Sequence, residues 1–432
     1  MAAIKEMISE MSRIGILIGI IILALFTSVT LAEEHSSRLY FQGSSADGYG
    51  LWTSDGTEAN TKEITPAEGS FNKPSDLTVL DHKLIFFAKD ESGNVRLWRT
   101  DGTSKGTKEI IVRNGHRKGV AGSGNLNHTP KSIGLVEYNG VLFFRGTNID
   151  GRFGLWKTDG TSNGTFEVFA QEPTSMTVAN NSLYFSTVSN NTKEITRWQI
   201  WKTDGKTTSL ELDEDGDHKL RPRQMVGFRG KLYFQGLAEA QRQTLCSLSP
   251  ERDYKCFYDV ISPSDLWVDR NTNILLFSAY GPRRMAGLWK SDGTEAGTEE
   301  VLVKGADLLV GLSPYGFFAA FDKVLMAGCY SHDTHGGKAA LWVTDMTPEG
   351  TRRIRVKGSA SDVGPNSLTM FQGAVYFLAN GAGARRPTLW RLDWNKDHSG
   401  PGVAVPVPGF STGGRSVTTA WHSLVGAQLK AD

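Results

Sequence analysis

A β-propeller, a closed ring of four-stranded antiparallel blades, is what this sequence predicts, and three observations predict it. A phrase close to Leu-Trp-x-Thr-Asp-Gly-Thr-x-x-Gly-Thr returns along the chain, with its tryptophan at Trp52, Trp98, Trp156, Trp201, Trp289, Trp342 and Trp390. With Cys246 as a worn copy, the units recur every 43 to 58 residues or so, roughly the period of propellers, solenoids and arrays. Eight units result. The first unit lacks a strand that the end of the chain supplies, and joining the two closes the ring. Seven blades or an open stack are the alternatives.

The chain opens with an apolar run, Ile14 to Ala32, behind Lys5 and Arg13. The basic start and the Thr30-Leu31-Ala32 ending read as a signal peptide over residues 1–32, with an uncleaved signal anchor as the alternative. No second long apolar run follows. Residues 33–432 are therefore expected to be a single propeller domain without a membrane span once the signal is cleaved, secreted or held at the cell surface. Leu39-Tyr40-Phe41-Gln42-Gly43 has the look of a protease-tag scar, but the same five residues recur at Leu232 to Gly236 in register with the repeat. They belong to the natural unit.

Within one unit, Ser75 to Val112, four short pieces are rich in β-branched and aromatic residues and are bounded by Gly, Asn or Asp: Asp76 to Leu80, Lys83 to Phe87, Arg96 to Arg99 and Lys108 to Val112. That is the signature of strands in a meander. The first turn is in one copy Asn139-Gly140, suited to the positive backbone angles of a tight hairpin. Second strands recur at Leu84, Leu142, Leu183, Leu232, Leu275, Leu325 and Tyr376, and the earliest, at Leu39, has no first strand ahead of it. Arg415 to Trp421 reads as the orphan first strand that completes it, which removes the exposed edges of an open array.

The wording Gly-Leu-Trp-Lys-Ser-Asp-Gly-Thr-Glu-Ala-Gly-Thr at Gly287 to Thr298 resembles the ELWxxDGT repeat family, and the likeness runs from Leu39 to Asp393. The resemblance implies a large secreted or surface bacterial protein and no settled activity. Departures fall at Cys246 to Cys256, at Met346 and at Trp394.

The recurrent acids Asp55, Asp101, Asp159, Asp204, Asp292, Asp345 and Asp393 read as turn residues rather than as a cation ring, since Asp-Gly-Thr accepts hydrogen bonds from its own backbone two residues on. The tryptophans, each beside a leucine on a strand, read as blade-to-blade core rather than as sugar platforms. Cys246 and Cys256 lie across a hairpin and are expected to form a disulfide in an exported protein, with buried free thiols as the alternative. Cys329, His332 and His335 share a loop with His-x-x-His spacing and are weak metal candidates; no metal or other cofactor is expected. Asp213 to Asp217 lacks the spacing and closing glutamate of a calcium loop. Asn127, Asn163, Asn180 and Asn190 open glycosylation acceptors.

A net charge of +1 argues against nucleic acid as a partner. Variable segments between second and third strands and between blades carry paired bases: Arg117 and Lys118, Arg221 and Arg223, Arg283 and Arg284, Arg385 and Arg386. They are expected to ring one mouth of the channel and to bind a protein or an acidic glycan through paired guanidinium contacts. The resulting expectation is an exported, non-catalytic binding scaffold. The alternative is a propeller hydrolase or lyase with a site at the channel mouth, to be recognised by His332 or His335 meeting Asp150, Asp307 or Tyr330, or else a structural envelope or matrix protein.

Overall fold

The computed structural model describes residues 37–427 apart from 46–47, 113–114, 116–133, 190–196, 214–219, 239–241, 282–285, 304–310, 331–338, 359–362, 381–387, 396–399, 409–415 and 418–423. The described residues hold strands and no helix. Blade 2 shows the unit: Asn72–Leu80, Lys83–Lys89, Val95–Thr100 and Lys108–Glu109 pair in that order, all antiparallel. Blades 3, 4, 7 and 8 repeat it, with first strands Val136–Tyr138, Pro173–Ala179, Leu312–Ala320 and Asn366–Phe371. Blades 5 and 6 share one sheet. The long strand Tyr254–Asp269 is the last strand of blade 5 and the first of blade 6, bending through register shifts near Ile261 and Ser264.

Blade 1 is completed from both chain ends. Arg38–Ser45, Gly48–Ser54 and Lys62–Ile64 come from the beginning, and Ser416–Val417 and Leu424–Ala427 both pair with Arg38–Ser45 from the end. Of the run from Arg415 to Trp421 that the sequence suggests, Ser416 and Val417 pair there and the rest lies outside the described residues; Leu424–Ala427 adds to the pairing. Leu424–Ala427 lies against the first strands of blades 8 and 2, so the ring is closed.

Eight hydrophobic clusters fill the eight blade-to-blade interfaces, and the Leu-Trp pair explains why. Leu51 packs toward blade 2 and Trp52 toward blade 8; Leu97 toward blade 3 and Trp98 toward blade 1; Leu341 toward blade 8 and Trp342 toward blade 6. Adjacent residues on a strand point to opposite faces, so each copy stitches its blade to the one before and the one after. Trp201 is half-buried, and the other six repeat tryptophans are buried. In blade 5 Cys246 fills the tryptophan's place, bonded to its register partner Cys256.

The Asp-Gly-Thr hairpin is a closed hydrogen-bond net. In blade 2 the Thr103 amide and hydroxyl donate to Asp101 Oδ1 at 2.8 and 2.7 Å. The Gly106 amide donates to Thr103 Oγ1 at 2.9 Å, and the hydroxyls of Thr100 and Thr107 meet at 2.6 Å. A Cβ on Gly106 would stand 2.0 Å from the Asp101 carboxyl, which is why the phrase needs Gly before its final Thr. Asp55, Asp159, Asp204, Asp292 and Asp345 accept in the same way. Asp393 departs from the expected turn role: it lies inside the strand Thr388–Trp394 and pairs with Arg391 at 2.7 Å.

Candidate functional site

The inner strands repeat a second phrase. A proline at 74, 222, 263, 314 or 365 is followed two residues on by Asp76, Gln224, Asp265, Gly316 or Ser367, each with φ between 51° and 64°. At each position the ladder with the second strand shifts register. These are bulges that break the pairing and re-aim a side chain, and left-handed backbone at four non-glycine residues costs about 1–3 kcal/mol each. Such strain on the innermost strands, which contact one another from blade to blade, marks them as the place of the candidate site.

Blades 2 and 6, four blades apart in the ring, carry the same Pro-Ser-Asp-Leu at Pro74 to Leu77 and Pro263 to Leu266. Asp76 is 8% exposed, and burial pushes its carboxyl up to about 6. No ion pair or side-chain hydrogen bond offsets that burial among the described residues, and the hydroxyl of Ser75 beside it is buried without a partner. Gly134, ahead of the first strand of blade 3, leaves room for it: a Cβ there would stand 3.0 Å from Asp76 Oδ1. The contrast with the outer hairpins is one of environment. At Asp292, hydrogen bonds from the Thr294 hydroxyl and amide hold the carboxyl below its ordinary range.

In blade 6 the Asp265 amide donates to Gln224 Oε1 of blade 5, tying neighbouring bulges together. Across from them, burial pushes the Tyr315 hydroxyl up to about 12, with the Cys329 thiol and the Asp265 carboxylate adding to the rise. Ser264, Asp265, Gln224 and Tyr315 line a cavity of about 960 Å³ between the first strands of blades 3 to 7. A separate cleft of about 510 Å³ lies at the third and fourth strands of blade 3, between Ile149 and Phe166.

Of the residues expected from sequence to form a basic ring, only Arg221 and Arg223 lie among the described residues. Arg117, Lys118, Arg283, Arg284, Arg385 and Arg386 lie outside the described residues, as do His332, His335 and Asp307. Arg221 and Arg223 are exposed at the entry to the first strand of blade 5, away from the bulge at Gln224 by one residue and more. Asp150 is exposed in the tight turn Asn148–Gly151, and Tyr330 ends the second strand of blade 7. Cys329 pairs with Ser313 on the neighbouring strand, and among the described residues no three His, Cys, Asp or Glu side chains gather as metal ligands. Asp76 and Asp265 were missed in the sequence, although their shared tetrapeptide at one point of the repeat is a signal that would have found them.

No family model matches the sequence, and no curated protein matches it. Solved structures do match in fold. Puromycin hydrolase aligns with a TM-score of 0.48 at 12% identity over 81% of this chain, which spans 55% of the hydrolase. The β-propeller domain of the Trilobed protease from Pyrococcus furiosus aligns at 0.45 and 11% over 73% of this chain and 93% of its own. Oligogalacturonate lyase in complex with manganese aligns at 0.46 and 10% over 84% of this chain and 99% of its own. These are propellers of hydrolases and of a lyase, and the expectation of a non-catalytic scaffold is corrected by them in favour of its alternative; at such identities what this chain is shown to share with them is the fold.

Proposed function

We propose that the chain is a propeller enzyme of the hydrolase or lyase type, with Asp76, on the first strand of blade 2, as its acid–base group. The observation that carries the proposal is a carboxyl nine-tenths buried, without an ion pair or side-chain hydrogen bond among the described residues, on a strained bulge of an inner strand. A carboxyl raised to about 6 holds or releases its proton near neutral pH, where general acid–base catalysis is most effective. In a hydrolysis it would activate water or protonate a leaving group; in an elimination it would take the proton next to a carbonyl. The absence of compensating donors among the described residues supports this reading, since a purely structural aspartate is held by donors as Asp101 is. The Cys246–Cys256 disulfide is consistent with export to an oxidising compartment.

The test is turnover of two panels, chromogenic peptide anilides and oligogalacturonides, by the wild-type chain and by Asp76→Asn. The substitution is expected to lower kcat on the accepted panel by about 100-fold or more, with KM little changed and the pH-rate limb near 6 lost. Undiminished turnover by Asp76→Asn overturns the assignment.

A further inference from the structure

The cavity between the first strands of blades 3 to 7 has a wall and a mouth of different chemistry. Its wall is part apolar and part polar: Trp267 stacks on Phe317 with centroids 6.0 Å apart and planes at 22°, Val178, although 39% exposed, lines the same space with Met225, and Gln224, Ser264 and Ser313 lie beside them. Its mouth, on the side of the first-to-second turns, carries two guanidinium groups. Arg229 is fixed there, donating from Nη2 to Asn273 O at 3.2 Å and lying 5.3 Å from the Phe228 ring. Arg270 is exposed and has no ion pair or hydrogen bond among the described residues.

The acids lining the cavity are otherwise occupied. Glu137 accepts from the Gly140 amide at 2.9 Å within its own turn, and Asp265 lies deeper, at the bulge, with interactions of its own. The two carboxylates match the two guanidinium groups in number, and Arg270 is the charged group of the lining left without a partner among the described residues, beside the Trp267–Phe317 pair.

We propose that this cavity binds an amphipathic anion, an aromatic or fused-ring body with a single carboxylate or sulfonate. About 960 Å³ is at the upper end of small-molecule sites, which are mostly apolar with a few placed polar groups. The ring body lies against Trp267, Phe317 and Val178, and the acid group takes the charge-assisted hydrogen bonds of Arg270 and Arg229. Asp76 is not among the lining residues, so this site and the acid–base reading stand or fall separately.

Titration of the folded chain with anilinonaphthalene sulfonate and with its uncharged analogue phenylnaphthylamine tests the proposal. The expected result is one saturable site per chain for the sulfonate, with the neutral probe bound about tenfold more weakly. Arg270→Ala, at an exposed position that leaves the fold alone, is expected to remove that difference by weakening the sulfonate only. Val178→Trp fills the cavity and is expected to abolish binding of both. Equal affinity for the two probes, several non-saturating sites, or sulfonate binding that survives both substitutions overturns the proposal.

Discussion

Asp76 and Asp101 are both 8% exposed in the same blade, yet their surroundings set opposite uses. Asp101 is satisfied by the amide and hydroxyl of Thr103, and its cost of burial is offset locally. Asp76 has no such donors among the described residues, and its burial makes ionising it cost more in the folded chain than in the unfolded one. Between its ordinary value of 3.8 and about 6 the unfolded chain releases a proton that the folded chain keeps. Stability therefore falls as pH rises through that window and levels off above it, by about 3 kcal/mol in all. Asparagine cannot ionise and tolerates the left-handed backbone at this position. Asp76→Asn is expected to raise Tm at pH 7.5 by about 2 to 4 °C and to leave it unchanged at pH 3.5, as measured by calorimetry. A lower Tm at pH 7.5 would show that Asp76 is a structural acceptor instead. The turn role of six repeat aspartates was legible in the sequence because its donors are two or three residues away; the predicament of Asp76 was not, because burial there depends on blade 3 closing over it through Gly134.

At the scale of the element, the blade is the unit of folding and blade 5 is the exceptional one. Its third strand has Cys246 where the others have tryptophan, and the loss of aromatic contact toward blade 4 is met by the bond to Cys256 and by Tyr254, whose hydroxyl lies 3.2 Å from Cys246 Sγ. Closing so short a loop is worth roughly 3 kcal/mol in the chain-entropy account. Replacing both cysteines with alanine is expected to lower stability by about that amount in a denaturant titration, without change of fold by circular dichroism. No loss of stability would mean that packing alone holds this blade. The disulfide and the strand order followed from local spacing, four strands to a unit and two cysteines across one hairpin. The fusion of blades 5 and 6 through Tyr254–Asp269 did not, because a strand that bends from one sheet into the next has no boundary residues to announce it.

For the whole molecule, closure is the decisive event, since eight interfaces exist only if the ends meet. Leu424 is buried in the cluster between blades 8 and 1, and Val425 packs in the one between blades 1 and 2. A chain ending at residue 408 loses both and leaves Arg38–Ser45 as an open edge. It is expected to unfold at a markedly lower temperature or to associate on size-exclusion chromatography; a monomer with unchanged Tm would be incompatible with a ring closed in this way. The sequence by itself determined the repeat, the four-stranded unit, the tryptophan core, the disulfide and the need for a closing strand, because each rests on contacts between residues near in the chain or on strict alternation along a strand. Only the tertiary structure decided which inner-strand residues share the cavity, which buried carboxyl has no donor among the described residues and that Leu424–Ala427 joins the closing of blade 1. Those properties arise from blades brought together across the ring, and burial, unlike hydrogen bonding within a turn, has no local signature.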